Sequence, residues 1–188
     1  MYFNESIPSH PKDIHQFFDK WPSTKKMSFT ALMTALAVIL QAAGGLLPGI
    51  GYFFSPFATA PILLAALISF RSGVSTYVLT SCLLLLIQPS ELIIFPFTTG
   101  LLGLGLGWTF CKLNRRFGIL IVNGLLLLLG ACIPLYVFGF PLFGPVISPW
   151  FNIQSMIGIF GFSLIYSWLW LEFGLFLLRK INMVLDLK

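Results

Sequence analysis

The sequence predicts an all-α integral membrane protein with six transmembrane helices and both termini in the cytoplasm. The first observation behind this fold class is composition: of 188 residues, 57% are hydrophobic, 16% are aromatic and 9% are charged. Soluble domains carry roughly a quarter charged residues, so this chain has too few polar side chains to cover a water-facing surface. The second observation is a series of apolar runs, and the third is the placement of Lys and Arg between them.

Six apolar runs, separated at Pro, Gly or charged residues, are the predicted helices. A helix needs about 20 apolar residues to cross roughly 30 Å of hydrocarbon. The runs cover residues 28–47, 52–70, 72–87, 92–112, 118–140 and 153–178. The second run contains Pro56 and Pro61, so residues 48–61 form either a loop or a broken helix that lines a protected cavity. Five spans plus a re-entrant segment is therefore the alternative to six.

The basic residues set the predicted orientation. They lie before the first run, between the second and third, between the fourth and fifth, and after the sixth: Lys25, Lys26, Arg71, Lys112, Arg115, Arg116, Arg179 and Lys180. The three alternate connections contain no Lys or Arg. The positive-inside rule therefore places both termini in the cytoplasm.

This orientation divides the chain into three parts. Residues 1–27 are a cytoplasmic N-terminal tail, residues 28–180 are the six-helix transmembrane domain, and residues 181–188 are a cytoplasmic C-terminal tail. Within the first tail, residues 13–21 form either a solvated stretch or a short interfacial helix. The net charge of +5 reflects this topology and requires no nucleic-acid partner.

Groups able to perform catalysis are scarce in the apolar runs. Both histidines, His10 and His15, precede the first run, which removes the usual general base and the commonest metal ligand from the membrane. Cys82, Cys111 and Cys132 are widely spaced, which fits neither a disulfide framework nor a metal site. We expect no enzymatic activity, no cofactor and no metal site.

The glycines of residues 100–107 have a packing role in this interpretation. They lack the spacing of a phosphate-binding loop, and no Lys-Ser or Lys-Thr pair follows them. Gly103 and Gly107 are four residues apart and therefore lie on one helix face. Small residues at this spacing allow close helix packing in membranes.

Polar and aromatic residues at the predicted outer ends of the helices are candidate substrate-binding residues. They are Tyr52, Glu91, Tyr136, Trp150, Asn152 and Gln154. Aromatic walls with a few polar groups are typical of small-molecule sites. An aromatic belt at the membrane surface explains the same pattern, and depth alone does not separate the two. If a ligand exists, we expect it to be small, partly aromatic and not polyanionic, because no cationic side chain lies among these residues.

Glu172 lies inside the last apolar run, seven residues before Arg179. That separation corresponds to roughly 10 Å along a helix. An intramembrane carboxylate is a functional candidate by default. The alternative is that Glu172 reaches the interface or pairs with Arg115, Arg116 or Arg179.

The first run reads Ser28-Phe-Thr-Ala31-Leu-Met-Thr-Ala35, directly after a basic pair, and a Pro-Gly loop and an irregular second run follow it. The sequence Phe70-Arg71-Ser-Gly73 then separates the second and third runs. This layout resembles, over most of residues 25–180, the substrate-binding (S) components of energy-coupling factor (ECF) vitamin transporters, which are small six-span membrane proteins of prokaryotes.

The resemblance implies a multi-pass protein of the prokaryotic cell membrane that binds a small vitamin-like molecule for uptake. It also implies that Ala31 and Ala35 dock on a transmembrane coupling subunit, which is joined to two ATPase subunits, and that the loop between the first two helices covers the substrate. The alternative for these alanines is internal packing, for example against Gly103 and Gly107. The alternative for the whole protein is a membrane scaffold or assembly protein that transports nothing.

Overall fold

The computed structural model describes residues 11–47, 49–140 and 153–185, and these ranges contain helices and no strand. The helices are α1 (Pro11–Asp19), α2 (Ser23–Leu46), α3 (Gly51–Phe54), α4 (Thr59–Ile68), α5 (Phe70–Ile87), α6 (Pro89–Ile94), α7 (Thr99–Lys112), α8 (Arg116–Cys132) and α9 (Ile153–Leu185). A 3-10 turn, Ser55–Ala58, joins α3 to α4, and a wider π turn, Ile133–Val137, continues α8.

Five helical stretches of the described chain are long and apolar enough to cross a membrane. They are Ser23–Leu46, Gly51–Ile68, Phe70–Ile87, Arg116–Val137 and Ile153–Val184. Large apolar side chains such as Ile39, Leu86 and Leu129 are exposed on their outer faces, as contact with lipid requires. The all-α class is confirmed for the described residues, whereas the count of six spans and the sidedness of the termini stay predictions.

The second apolar run is more regular than its prolines suggest. It forms a continuous helical stretch, Gly51–Ile68, with only the 3-10 turn as an irregularity. Pro56 lies at the start of that turn and Pro61 lies in the first turn of α4. At the start of a helical segment the missing N–H of proline costs little, because that N–H has no partner within the segment. Of the two alternatives for residues 48–61, a loop or a broken helix, the structure shows a helix from Gly51 onward, interrupted by the 3-10 turn.

The break lies instead in the fourth run, where α6 ends at Ile94 and α7 begins at Thr99. Pro96 falls in the gap, and its carbonyl accepts a hydrogen bond from the Tyr77 hydroxyl of α5 (3.0 Å). Phe95 is fully buried and stacks on the Tyr77 ring. The Phe97 carbonyl packs directly against Gly130 of α8, in the space that a side chain at that position would occupy. With 14 residues, α7 alone covers only about 21 Å, so a sixth span would require α6 and α7 together.

Helix α4 packs between α5 and α7 through contacts with glycine. A Cβ atom on Gly73 of α5 would lie 2.6 Å from the Ala66 Cβ, and one on Gly107 of α7 would meet the same atom. A Cβ on Gly103 would lie 2.8 Å from the Ile62 Cβ. The predicted packing role of Gly103 and Gly107 is thereby confirmed, with α4 as the partner. Small residues allow this close approach of helix backbones.

The N-terminal segment is helical and packs on the bundle. Ile14 and Phe18 of α1 are buried in a cluster that includes Ile68 of α4 and Phe110 of α7. The Asp19 carboxylate lies 3.7 Å from the Lys26 ammonium group at the start of α2. Ile14 and Phe18 therefore hold α1 against the bundle, whereas Gln16, Phe17 and Asp19 on its other face are exposed. Helix α2 begins before residue 28 and α9 extends beyond residue 180, so both helices run into the predicted tails.

One face of α2 is exposed in the part of the chain that the structure describes. Ala31 and Ala35 are exposed on this face, together with Leu32, Leu36 and Ile39. Met33, Thr34, Ala37 and Val38 form the buried face. Gly103 and Gly107 pack on α4, and among the described residues nothing buries Ala31 or Ala35, so the internal packing alternative finds no support there.

Candidate functional site

A cavity of about 670 Å³ lies among α2, the α3–α4 segment, the break between α6 and α7, α8 and α9. Its described lining residues are Gly44, Gly45, Tyr52, Ser55, Pro56, Ser90, Glu91, Ile94, Thr98, Thr99, Leu127, Ala131, Phe140, Phe162 and Tyr166. This volume falls within the range of roughly 300–1,000 Å³ that is typical of small-molecule pockets. The cavity lies toward the C-terminal end of α2, which is the end opposite Lys25 and Lys26.

Glu91 is the acidic residue that lines this cavity, and only 4% of its surface is exposed. Its Oε2 atom accepts a hydrogen bond of 2.7 Å from the Nε2 atom of Gln41 on α2. The bond joins α6 to α2 across 50 positions of sequence. A carboxylate is costly to bury unless it is hydrogen-bonded and paired, so its position at a cavity wall is a strong indication of function.

Gln41 is fully buried and connects three elements around Glu91. Its Nε2 atom also donates to the Ser55 Oγ atom (2.9 Å), and its Oε1 atom accepts from the Thr99 Oγ1 atom (2.7 Å). Both hydrogens of the amide nitrogen thus have acceptors, and the amide oxygen has a donor. Such a satisfied network holds the amide in one orientation. Gln41 therefore fixes the Glu91 side chain at the wall of the cavity.

Gly44 makes room for the carboxylate. A Cβ atom at this position would lie 2.8 Å from the Glu91 Oε1 atom and 3.1 Å from the Ser55 Cβ atom. Any larger residue would force the Glu91 side chain to move. The small residue at this position of α2 is thus part of the geometry that brings Glu91 to the cavity.

Aromatic rings form a large part of the remaining cavity wall. Phe162 and Tyr166 of α9 stack with their centroids 5.6 Å apart and their planes 18° apart. The Tyr166 hydroxyl donates to the Pro56 carbonyl (3.1 Å), which ties α9 to the 3-10 turn. Tyr52 and Phe140 complete the aromatic lining. Ring faces of this kind bind flat apolar groups and cations.

The predicted binding residues divide into three groups. Tyr52 and Glu91 line the cavity, although Tyr52 is 70% exposed. Tyr136 packs in the cluster of Ala131, Leu135 and Ile159, and Gln154 is exposed in the first turn of α9, so neither lines the cavity. Trp150 and Asn152 lie outside the described residues.

Several residues of the site were not predicted from sequence, chiefly Gln41, Ser55, Thr99 and Tyr166. Gln41 carried a usable signal, because an amide inside an apolar run must face protein or water. Ser55 and Thr99 carried no such signal. A short hydroxyl side chain can hydrogen-bond to the backbone of its own helix, so its presence in an apolar run does not indicate a site. Glu172 is half-buried on α9 and is not among the residues that line the cavity.

The chemistry available at this site is recognition by hydrogen bonds, charge and ring contacts. No Lys, Arg or His is among the described lining residues, and in the described ranges no three His, Cys, Asp or Glu side chains converge to hold a metal ion. A comparison with protein-family models, with curated proteins and with solved structures finds no match to this chain.

Proposed function

We propose that this chain is a membrane-embedded substrate-binding subunit for the uptake of a small, vitamin-like molecule. The observation that carries the proposal is the cavity of about 670 Å³ with a buried carboxylate in its wall. A carboxylate buried inside a membrane protein is costly and is a functional candidate by default, which favours a binding role for Glu91 over a purely structural one.

The exposed face of α2 supports a second part of the proposal, which is association with another membrane protein. Helices in lipid associate through close van der Waals packing, and small residues such as Ala31 and Ala35 allow it. Energy for uptake would come from a transmembrane coupling subunit with two ATPase subunits, as the resemblance to the ECF S components implies. The cell membrane of a prokaryote is the proposed location on the same ground.

Ligand retention by the purified protein tests the binding function. The full chain is purified in mild detergent, denatured, and the released small molecules are identified by mass spectrometry. In parallel, a panel of radiolabelled vitamins is tested for retention. A retained compound in stoichiometric amount supports the proposal. If the protein retains no compound in either measurement yet associates with other membrane proteins, the scaffold function replaces it.

A paired tryptophan substitution tests the docking face. Ala31→Trp with Ala35→Trp should leave the melting temperature and ligand retention unchanged, because both side chains are exposed. The same variant should lose copurification with a coupling subunit and lose uptake. Val74→Trp with Val78→Trp is the matched control, since it places the same bulk on an exposed face of α5. Normal uptake by the variant with Ala31→Trp and Ala35→Trp would contradict the docking role.

A further inference from the structure

We propose that the ligand of this cavity is a flat aromatic molecule that carries a protonated nitrogen, and that this nitrogen binds the Glu91 carboxylate. The inference rests on the proposed binding function and narrows its substrate class. The ligand would place its cation at the α2–α6 corner of the cavity and its ring against the aromatic wall. Phosphorylated or carboxylated molecules would be excluded.

The first step of the argument is the charge of the site. Glu91 is nearly fully buried, and among the described residues no ion pair to its carboxylate is found. The described lining contains no Lys, Arg or His that could neutralise the carboxylate. Burial disfavours the charged form of this carboxyl group, and a cation bound beside it would stabilise that form.

The second step is which oxygen remains for the ligand. Within the described ranges, the hydrogen bond found at Glu91 is donated by Gln41 to Oε2. The Oε1 atom lies over Gly44, which has no side chain to cover it, and both residues line the cavity. Gln41 has used both of its amide hydrogens, so it offers no further donor to this oxygen. A donor from the ligand fits this position.

The third step is the shape of the rest of the site. Phe162 and Tyr166 present stacked rings, and the Tyr166 hydroxyl is occupied by the Pro56 carbonyl. The Tyr166 hydroxyl hydrogen is thus not available to a ligand, and the two rings contribute mainly aromatic surface, which suits a flat group. Cations are also attracted to ring faces, so the wall and the carboxylate favour the same ligand charge.

Three probes of equal ring size test the ligand charge on the unmodified full chain in detergent: naphthylmethylamine, naphthylmethanol and naphthoate. Binding is measured by titration calorimetry at neutral pH. We expect the amine to bind at least about tenfold more tightly than the alcohol, which is a modest gain for one buried charge pair. Naphthoate should not bind. The comparison requires no variant, so it holds even if a substitution at Glu91 prevents folding.

Glu91→Gln then tests the position of the cation, and Glu172→Gln is the matched control because it removes a carboxylate that does not line the cavity. We expect Glu91→Gln to reduce the preference for the amine over the alcohol to within about threefold and Glu172→Gln to leave it intact. Equal binding of naphthoate and the amine, no binding of any probe, or an unchanged preference in Glu91→Gln would each overturn the inference. A neutral or anionic molecule copurified with the protein would overturn it too, but would leave the proposed binding function standing.

Discussion

Replacement of Gln41 by methionine is the sharpest test of how the site is held together. Methionine has a similar length and volume, so Gln41→Met removes polar contacts and leaves little empty space. Three hydrogen bonds are lost: those to Ser55, to Glu91 and from Thr99. We expect the variant to be less stable and to hold Glu91 in a less defined position.

The magnitude follows from the kinds of bond removed. Two are bonds between neutral groups, for which about 0.6 kcal/mol each is the average found between membrane helices. The third is made to a carboxylate, and such bonds contribute about 1.5–3 kcal/mol. The free energy of unfolding should therefore fall by about 3 kcal/mol. Removal of both partners is less harmful than removal of one, so Gln41→Met and Glu91→Met should couple by about 2 kcal/mol in a double-mutant cycle.

The assay is reversible unfolding in mixed micelles, with a mild detergent titrated by SDS and helix content followed by circular dichroism. Gln88→Met is the matched control, because Gln88 is half-buried and its amide donates to the exposed Ser90 hydroxyl (3.1 Å). We expect the control to change stability by less than about 0.5 kcal/mol. A Gln41→Met effect no larger than that of the control, or additive effects of the two methionine substitutions, would refute this account of the network.

Three further predictions concern packing, topology and the N-terminal helix. Gly107→Val should destabilise the protein by about 1–3 kcal/mol because its side chain would enter α4, whereas Gly158→Val, which meets open space, should be neutral in the same unfolding assay. A cysteine at Ser90 should react with an impermeant maleimide added outside the cell, and one at Asn114 only after permeabilisation; the reverse pattern would contradict the predicted topology. Phe18→Ala should reduce stability by about 3 kcal/mol and expose α1 to protease, because Phe18 is buried against the bundle, and unchanged proteolysis would show that α1 is held by other contacts.

The sequence alone determined the membrane class and most helix positions. The predicted run 118–140 corresponds to Arg116–Val137, and the run 72–87 corresponds to Phe70–Ile87. These matches have a local cause: a stretch of apolar residues must become helical in lipid, because its backbone groups have no water to bond. The packing role of Gly103 and Gly107 could also be predicted from local sequence, because their four-residue spacing places them on one helix face.

Tertiary contacts decided where the helices break and which polar residues meet. The second and fourth runs both contain prolines, but the helix break in these two runs lies at Pro96. There the Tyr77 hydroxyl donates to the Pro96 carbonyl, and the absence of a side chain at Gly130 leaves room for the Phe97 carbonyl. Likewise, Glu91 was visible as a candidate, whereas its partner Gln41 lies 50 positions away on another helix. Hydropathy is a property of neighbouring residues, but a binding site depends on which helix faces meet, and only the packed bundle determines that.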